Sequence, residues 1–215
     1  RALELRELLL KNKILKDSVF SQIIQHTEVF SKIVTRNEKM FSIFQYIESI
    51  AQTTQPVLIR GETGVGKELV ARTLHNLSGL QGQFVAVNVA GLDDNVFADT
   101  LFGHVKGAFT GAIRAKQVKI LAADNGTIFL DEISETSQSF QTTLLRVIQE
   151  MEVRPLGSNK VIPIDIRIIV ATNRRLKREV DLGNFRSDLY YRLNILRLNI
   201  PPLRYRKNDI PQFVR

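Results

Sequence analysis

Gly61-Glu62-Thr63-Gly64-Val65-Gly66-Lys67 lies between an apolar run, Val57-Leu58-Ile59, and a helix-like segment, Glu68-Leu69-Val70-Ala71-Arg72-Thr73-Leu74. Its three glycines let the backbone turn tightly and point several N–H groups inward, while the start of the following helix adds partial positive charge and Lys67 a full one. The stretch reads as a phosphate-binding loop between a strand and a helix, a nest suited to the β- and γ-phosphates of a nucleotide. The position after the lysine, where a Ser or Thr hydroxyl would normally ligate magnesium, is Glu68. Either the metal is held by other groups and water, or this carboxylate contributes at longer reach.

Outward from the loop, Phe84-Val85-Ala86-Val87-Asn88, Ile128-Phe129-Leu130, residues 164–170 and residues 195–200 read as four further strands. Helical stretches fall between them, such as 141–150. Before the first strand, Phe41, Ile43, Phe44, Ile47 and Ile50 recur at helical spacing. Strands alternating with helices predict an α/β fold with a mainly parallel five-stranded sheet covered on both faces. Residues 1–26 carry neither glycine nor proline and are expected to be helical. Leu5, Leu8, Asn12, Leu15 and Val19 alternate at spacings of three and four. This short heptad seam, with Asn at one a-type position, suits a parallel two-stranded coiled coil or an amphipathic helix packed on its own domain. The preferred expectation is a dimerising connector.

The chain of 215 residues is 44% hydrophobic and 24% charged, the balance of an ordinary globular protein. It has no cysteine, which excludes a disulfide framework and a cysteine metal site. No stretch approaches membrane-spanning length or a secretory signal, so a cytoplasmic protein is expected. The chain begins with Arg1, not Met, and a longer protein is expected around it. The net charge of +8 is densest at Arg174-Arg175-Leu176-Lys177-Arg178 and Arg204-Tyr205-Arg206-Lys207. Those patches suit a nucleic-acid surface, or else solvated helix ends and subunit contacts.

Four groups of residues carry candidate chemistry. Asp131-Glu132 closes an apolar strand whose carboxyl end should lie beside the phosphate loop. There Asp131 can hold magnesium or its water shell, and Glu132 can orient and polarise the water attacking a γ-phosphate. Asn173, after Ala171-Thr172, and Asn88 end two other strands; each is a ligand for water or phosphate in the same crevice, or a strand-end turn residue. Arg186 and Arg192, six apart on a segment expected to be helical, are either arginine fingers supplied across a subunit boundary or members of a structural salt bridge, to Asp188 or Glu179. Gly107-Ala108-Phe109-Thr110-Gly111-Ala112 is a loop of small residues around one apolar and hydroxyl tip, either stapled to the core or projecting towards a partner.

With these motifs in place, the chain from about residue 30 to 210 resembles the AAA+ ATPase domain of bacterial enhancer-binding proteins, the NtrC-like activators of sigma-54 RNA polymerase. The resemblance rests on the loop Gly61–Lys67 with Glu68 after it, on Asp131-Glu132, and above all on the hexapeptide 107–112, that family's signature for contacting sigma-54. It implies that Gly61, Glu62, Thr63, Gly64, Val65, Gly66, Lys67 and Glu68 bind ATP with Mg. Asp131 and Glu132 would be the Walker B pair, Asn173 the sensor I residue, and Arg186 and Arg192 fingers acting in trans. Asn88 matches the residue that holds the catalytic glutamate idle. Implied partners are sigma-54 and its RNA polymerase, other copies in a hexameric ring or an inactive dimer, and promoter DNA through a further C-terminal domain; no membrane is implied. The division expected is a connector over 1–27 and an AAA+ subdomain over 28–215, with the helical lid beyond.

Two positions depart from the family pattern. Val105 stands for an acidic residue in Leu101-Phe102-Gly103-His104-Val105-Lys106-Gly107, and Leu121 stands for the carboxylate that ends the usual Gly-x-Phe-Glu. Both bear on coupling of the loop to the nucleotide and leave nucleotide binding itself intact. A regulator that keeps the AAA+ fold without activating sigma-54 is the alternative, with Val105 and Leu121 in its favour and the hexapeptide against it. A substrate-threading unfoldase ranks below both, since its pore loop would be aromatic and hydrophobic.

Overall fold

The computed structural model describes residues 24–91, 101, 119–155 and 157–213. The heptad seam, the hexapeptide 107–112 and Val105 lie outside them. In chain order the elements are α1 (Glu38–Ile50), β1 (Val57–Arg60), α2 (Lys67–Ser78), β2 (Phe84–Asn88), α3 (Lys119–Ala122), β3 (Gly126–Asp131), α4 (Gln138–Glu150), β4 (Glu152–Val153), β5 (Ile162–Pro163), β6 (Ile166–Thr172), α5 (Leu176–Asp181), α6 (Ser187–Leu193), β7 (Leu196–Asn199) and α7 (Ile210–Phe213). Five strands form one sheet in the order β2-β3-β6-β1-β7. Every pair in it is parallel. The five strand-like runs of the sequence are these five strands. The antiparallel β4–β5 ribbon was not expected; two residues per strand are too short to show a period.

Alternation along the strands divides the core in two. Leu58, Ile128, Leu130, Ile168 and Val170 face one side, under Phe140, Leu144 and Ile148 of α4 and Leu189 and Leu193 of α6. Val57, Ile59, Phe129, Ile169 and Ala171 face the other, under Met40, Phe44 and Ile47 of α1 and Val70 and Leu74 of α2. All seven residues of β6 are buried. A parallel sheet covered on both faces reads this way, as continuous apolar runs. Leu121, one of the two family departures, packs against the first of these cores.

Local chemistry sets the helix starts. The Asn37 side chain caps α1 by accepting from Lys39 N, and Ser137 caps α4 by accepting from Phe140 N. At the other end of α1, Arg167 of β6 donates to the Ala51 carbonyl and, at 2.9 Å, to that of Ile50. Burial pushes its guanidinium down to about 10. The expected helix over 1–26 fails at residues 24–26, which are not helical. There the Glu48 carboxylate accepts from His26 N at 2.8 Å and Gln25 N at 3.3 Å, drawing the chain along α1 instead. No helix among the described residues is long and apolar enough to cross a membrane.

A buried acid ties the start of the domain to its end. Asp209 is fully buried and accepts from Arg36 N at 2.6 Å and Thr35 Oγ1 at 2.8 Å. Arg206 lies 3.8 Å from the same carboxylate and donates to the Val65 carbonyl in the phosphate loop. Removing one member of a buried charge pair leaves the other unpaired. Asp209→Ala is therefore expected to cost about 3–5 kcal/mol in chemical denaturation; a loss under about 1 kcal/mol would match a surface pair instead.

His75 in α2 meets Thr127 Oγ1 at 2.9 Å through Nδ1 and packs on Phe84. Burial, then the nearby Arg167 and Arg72, lower its pKa. The unfolded chain thus binds more protons than the folded one below the ordinary histidine value of about 6.5. Stability should decline as pH falls through that value, and His75→Gln, which cannot charge, should lose that part of the decline. Denaturant titrations from about pH 8 to about pH 5 on both proteins measure the difference.

Candidate functional site

The loop after β1 turns through Gly64 at φ 81° and Gly66 at φ 98°, a left-handed backbone that residues with a Cβ rarely adopt. Gly66 is the N-cap of α2 and supplies no side chain there, so the first N–H groups of the helix are left for a ligand. Gly61 N donates to the Thr172 carbonyl at 3.1 Å and Ile200 N to that of Arg60 at 2.8 Å, which fastens the loop to β6 and to the end of β7.

Lys67 is only 5% exposed. Its ammonium donates to Glu132 Oε1 at 3.1 Å and to the loop carbonyls of Gly61 at 3.3 Å and Glu62 at 3.5 Å, and it stands 3.9 Å from Asp131 Oδ1. Glu132 follows the end of β3 at φ 57°, an uncommon conformation for a residue with a side chain. Glu132 N donates to Asp131 Oδ1 at 2.9 Å, and Glu132 Oε2 accepts from Asn173 N at 3.2 Å. Burial raises the Asp131 pKa, with Lys67 pulling the other way.

Gly66, Lys67, Asn88, Asp131, Glu132 and Asn173 thus line one open groove of about 430 Å³ at the carboxyl ends of β1, β2, β3 and β6. The sequence readings that placed both acids and both asparagines there agree with this position. Asn88 Oδ1 accepts from Ala90 N at 2.9 Å, while the Glu132 carboxylate is held by Lys67 and Asn173. Glu68 also lines the groove, but both Nε and Nη2 of Arg72 hold its Oε1, at 3.0 and 2.7 Å. The donor set fits magnesium, an ion bound through one or two carboxylates plus phosphate oxygens and water. Asp131 and Glu132 are the carboxylates in this groove that stand beside Lys67, while Glu68 is turned to Arg72.

Beyond the loop, Val65, Pro202, Leu203, Arg206 and Phe213 line a second crevice of about 380 Å³. Arg204 and Glu62 line it too, paired with each other, and its mixture of apolar faces and polar groups suits a nucleotide base. Sequence reasoning missed this wall, which is assembled from residues far apart in the chain. The only local sign was the density of charge around Arg206.

The two arginines are arranged differently from the helical pair expected. Arg186 is not on the helix but caps its start. Its Nη2 and Nε donate to Asp188 at 2.6 and 3.0 Å, and its Nη1 to Thr142 Oγ1 at 3.2 Å. Asp188, not Glu179, is thus its ion-pair partner. The Arg186–Asp188 contact also lowers the Asp188 pKa. Arg192 lies in the last turn of α6, exposed, and lines a cavity with Pro56, Asp165 and Ile195 at the starts of the strands. Neither arginine lines the groove of its own chain. In the basic patches, Arg174 meets Glu135 and Glu179, Lys177 meets Asp181, and Arg204 holds both oxygens of Glu62 at 2.6 and 2.7 Å.

Residues 33–199 match the family described as Sigma-54 interaction domain. The C4-dicarboxylate transport transcriptional regulatory protein DctD of Pseudomonas aeruginosa is 46% identical over 216 aligned positions, covering 100% of this chain and 46% of that protein. The formate hydrogenlyase transcriptional activator FhlA of Escherichia coli is 48% identical over 183, covering 85% of this chain and 26% of its own length. The chain therefore spans between about a quarter and a half of these relatives. Among solved structures, NtrX from Brucella abortus in complex with ATP superposes with a TM-score of 0.78 at 31% identity, over 98% of this chain and 47% of that one. An ADP complex of the same protein also has a TM-score of 0.78. With the phosphate loop, the acidic strand end and the parallel sheet in the arrangement above, the chain belongs to the sigma-54 interaction domain family.

Proposed function

We propose that this chain is the ATP-hydrolysing module of a transcriptional activator, and that it uses hydrolysis to remodel the closed promoter complex of sigma-54 RNA polymerase. The observation that carries the reading is the convergence of Lys67, Asp131, Glu132 and Asn173 on one groove beside the phosphate loop. The family match supplies the partner.

In this mechanism the N–H groups of the loop and of the start of α2 bind the phosphates, and Lys67 turns from Glu132 to the β- and γ-phosphates. The crevice formed by Val65, Pro202, Leu203 and Phe213 takes the base. Asp131 would hold the magnesium that accompanies ATP, whose charge offsets that building up on the phosphates. Glu132, once Lys67 has left it, orients and polarises the attacking water, and Asn173 hydrogen-bonds that water or the γ-phosphate. Asn88, by its match to the family pattern, takes the Glu132 carboxylate in an idle position. Arg186 and Arg192 act on the site of a neighbouring copy, through a head-to-tail interface that closes into a ring of six. Such a ring works in the cytoplasm, where the polymerase is. Hydrolysis shifts Gly107, Ala108, Phe109, Thr110, Gly111 and Ala112 between at least two positions of different affinity for sigma-54, the condition for any transmission of work.

Lys67→Ala is expected to abolish nucleotide binding, measured by titration with a fluorescent ATP analogue. Glu132→Gln should bind normally and hydrolyse roughly 10²–10⁴-fold more slowly. Equal loss of binding in both would contradict the assigned roles.

Thr110→Ala should keep its ATPase activity and lose activation. The direct assay is capture of purified sigma-54 with ADP and a metal-fluoride phosphate mimic, against ADP alone. Complex formation with the mimic alone, absent in Thr110→Ala, is the expected result. A hydrolysing protein that captures sigma-54 under neither condition would instead be a regulator that keeps the AAA+ fold and has lost this client.

A further inference from the structure

Gln141, in the first turn of α4, is fully buried, yet both N–H groups and the oxygen of its amide are hydrogen-bonded. Nε2 donates to the Thr136 carbonyl at 2.9 Å and to the Asn184 carbonyl at 3.1 Å, while Oε1 accepts from Arg186 N at 2.8 Å. Two carbonyls and one N–H around it fix which end of the amide is which: the reverse orientation would set oxygen against oxygen twice and N–H against N–H once.

The three partners belong to two different functional segments. Thr136 ends the short 3₁₀ turn Ile133–Glu135 that follows the acidic pair directly. That turn is itself held to the sheet, since Ser134 Oγ and Thr172 Oγ1 lie 2.9 Å apart and Arg174 N donates to Thr172 Oγ1. Asn184 and Arg186 lie between α5 and α6, beside the buried Phe185. Two neighbours of Gln141 on the same turn of α4 grip this segment too. Gln138 Nε2 donates to the Gly183 carbonyl at 3.0 Å, and Thr142 Oγ1 accepts from the Arg186 guanidinium. One buried amide therefore bonds both the turn after Glu132 and the backbone of Arg186.

We propose that Gln141 is the positioning residue through which the state of one nucleotide site sets the placement of the arginine offered to the next, making consecutive sites cooperative. This rests on the reading that Arg186 acts in trans. The coupling has two distinct ends, the acidic turn and the segment carrying Arg186, and Gln141 is bonded to both.

The test uses the full chain. Gln141→Met keeps the volume and removes all three bonds; Gln141→Glu keeps an acceptor for Arg186 N and loses both donors to the carbonyls. Each is compared with Arg186→Ala and with the double variants, measuring ATPase rate against ATP concentration, binding of a fluorescent ADP analogue, and assembly by light scattering. In Gln141→Met, kcat should fall roughly ten- to a hundredfold, the scale of a misplaced catalytic group. The Hill coefficient should drop towards one, with ADP affinity and assembly unchanged. Adding Arg186→Ala should then lower kcat no further than Arg186→Ala alone. If Gln141→Met does not fold, Gln141→Glu carries the same comparison. Effects that multiply in the double variant, or a Hill coefficient that stays at the wild-type value, would overturn the proposal. Wild-type hydrolysis in Arg186→Ala would instead overturn the trans-arginine reading beneath it.

Discussion

The buried ammonium of Lys67 is the constraint around which the domain is arranged. A cation with almost no exposure is tolerable only if its donors are satisfied and a counter-charge is near. Lys67 obtains both from two separate segments: the loop carbonyls of Gly61 and Glu62 after β1, and the carboxylates of Asp131 and Glu132 where β3 ends. Those segments can meet only if β1 and β3 run in the same direction and end level with each other. β6 lies between them in the sheet and completes the arrangement, since the N–H of Asn173, just beyond it, takes the other oxygen of Glu132. A parallel sheet whose carboxyl ends form one rim meets that requirement. The same charges that stabilise this corner are the ones a nucleotide would re-pair, because its phosphates offer Lys67 a stronger partner than a single carboxylate.

Much of this was legible in the sequence, for a physical reason. Strands buried on both faces become unbroken apolar runs, so β1, β3 and β6 announce themselves, and the chemistry sits where those runs stop. Asp131, Glu132 and Asn173 lie at or next to such an end, and Lys67 closes the glycine loop that follows β1. What stayed hidden depends on contacts between distant segments. Nothing around Gln141 distinguishes it from a polar residue on a helix surface until Asn184 and Arg186 fold over it. Asp209 looks like an ordinary acid among basic neighbours, although it is fully buried under Thr35 and Arg36. Arg186 sits in a sequence with good helical character, but its backbone is extended because its N–H is taken by Gln141 and not by a preceding turn.

Charge density along the chain proved a poor guide to charge in space. The two densest basic patches are largely neutralised, with Arg174, Lys177, Arg204 and Arg206 all paired to acids. Arg60, Arg175 and Arg197 come from three separate segments, yet they are close enough for Arg175 and Arg197 to lower the Arg60 pKa, after burial. Like charges gathered by the fold count for more than like charges gathered in sequence, because their separation is fixed and part of the intervening space is protein.

Arg186, just before α6, and Arg192, in its last turn, are not equivalent, and the difference follows from where the sheet places them. Arg192 lines a cavity with Asp165, just before β6, whereas Asn173 follows the other end of that strand. At about 3.3 Å per residue those ends are on the order of 25 Å apart, well beyond the reach of any side chain. Whatever Arg192 contributes to phosphate chemistry must go to another copy. It has no ion pair among the described residues, so redirecting it breaks no salt bridge. Arg186 would first have to leave Asp188, a partly exposed pair worth little in water, but its backbone is pinned to the acidic turn through Gln141. One arginine is thus unpaired and remote, and the other is tethered by its backbone to the turn that follows the acids. On the proposed reading that both act in trans, the free one would respond to the presence of a neighbour and the tethered one to the state of its own site.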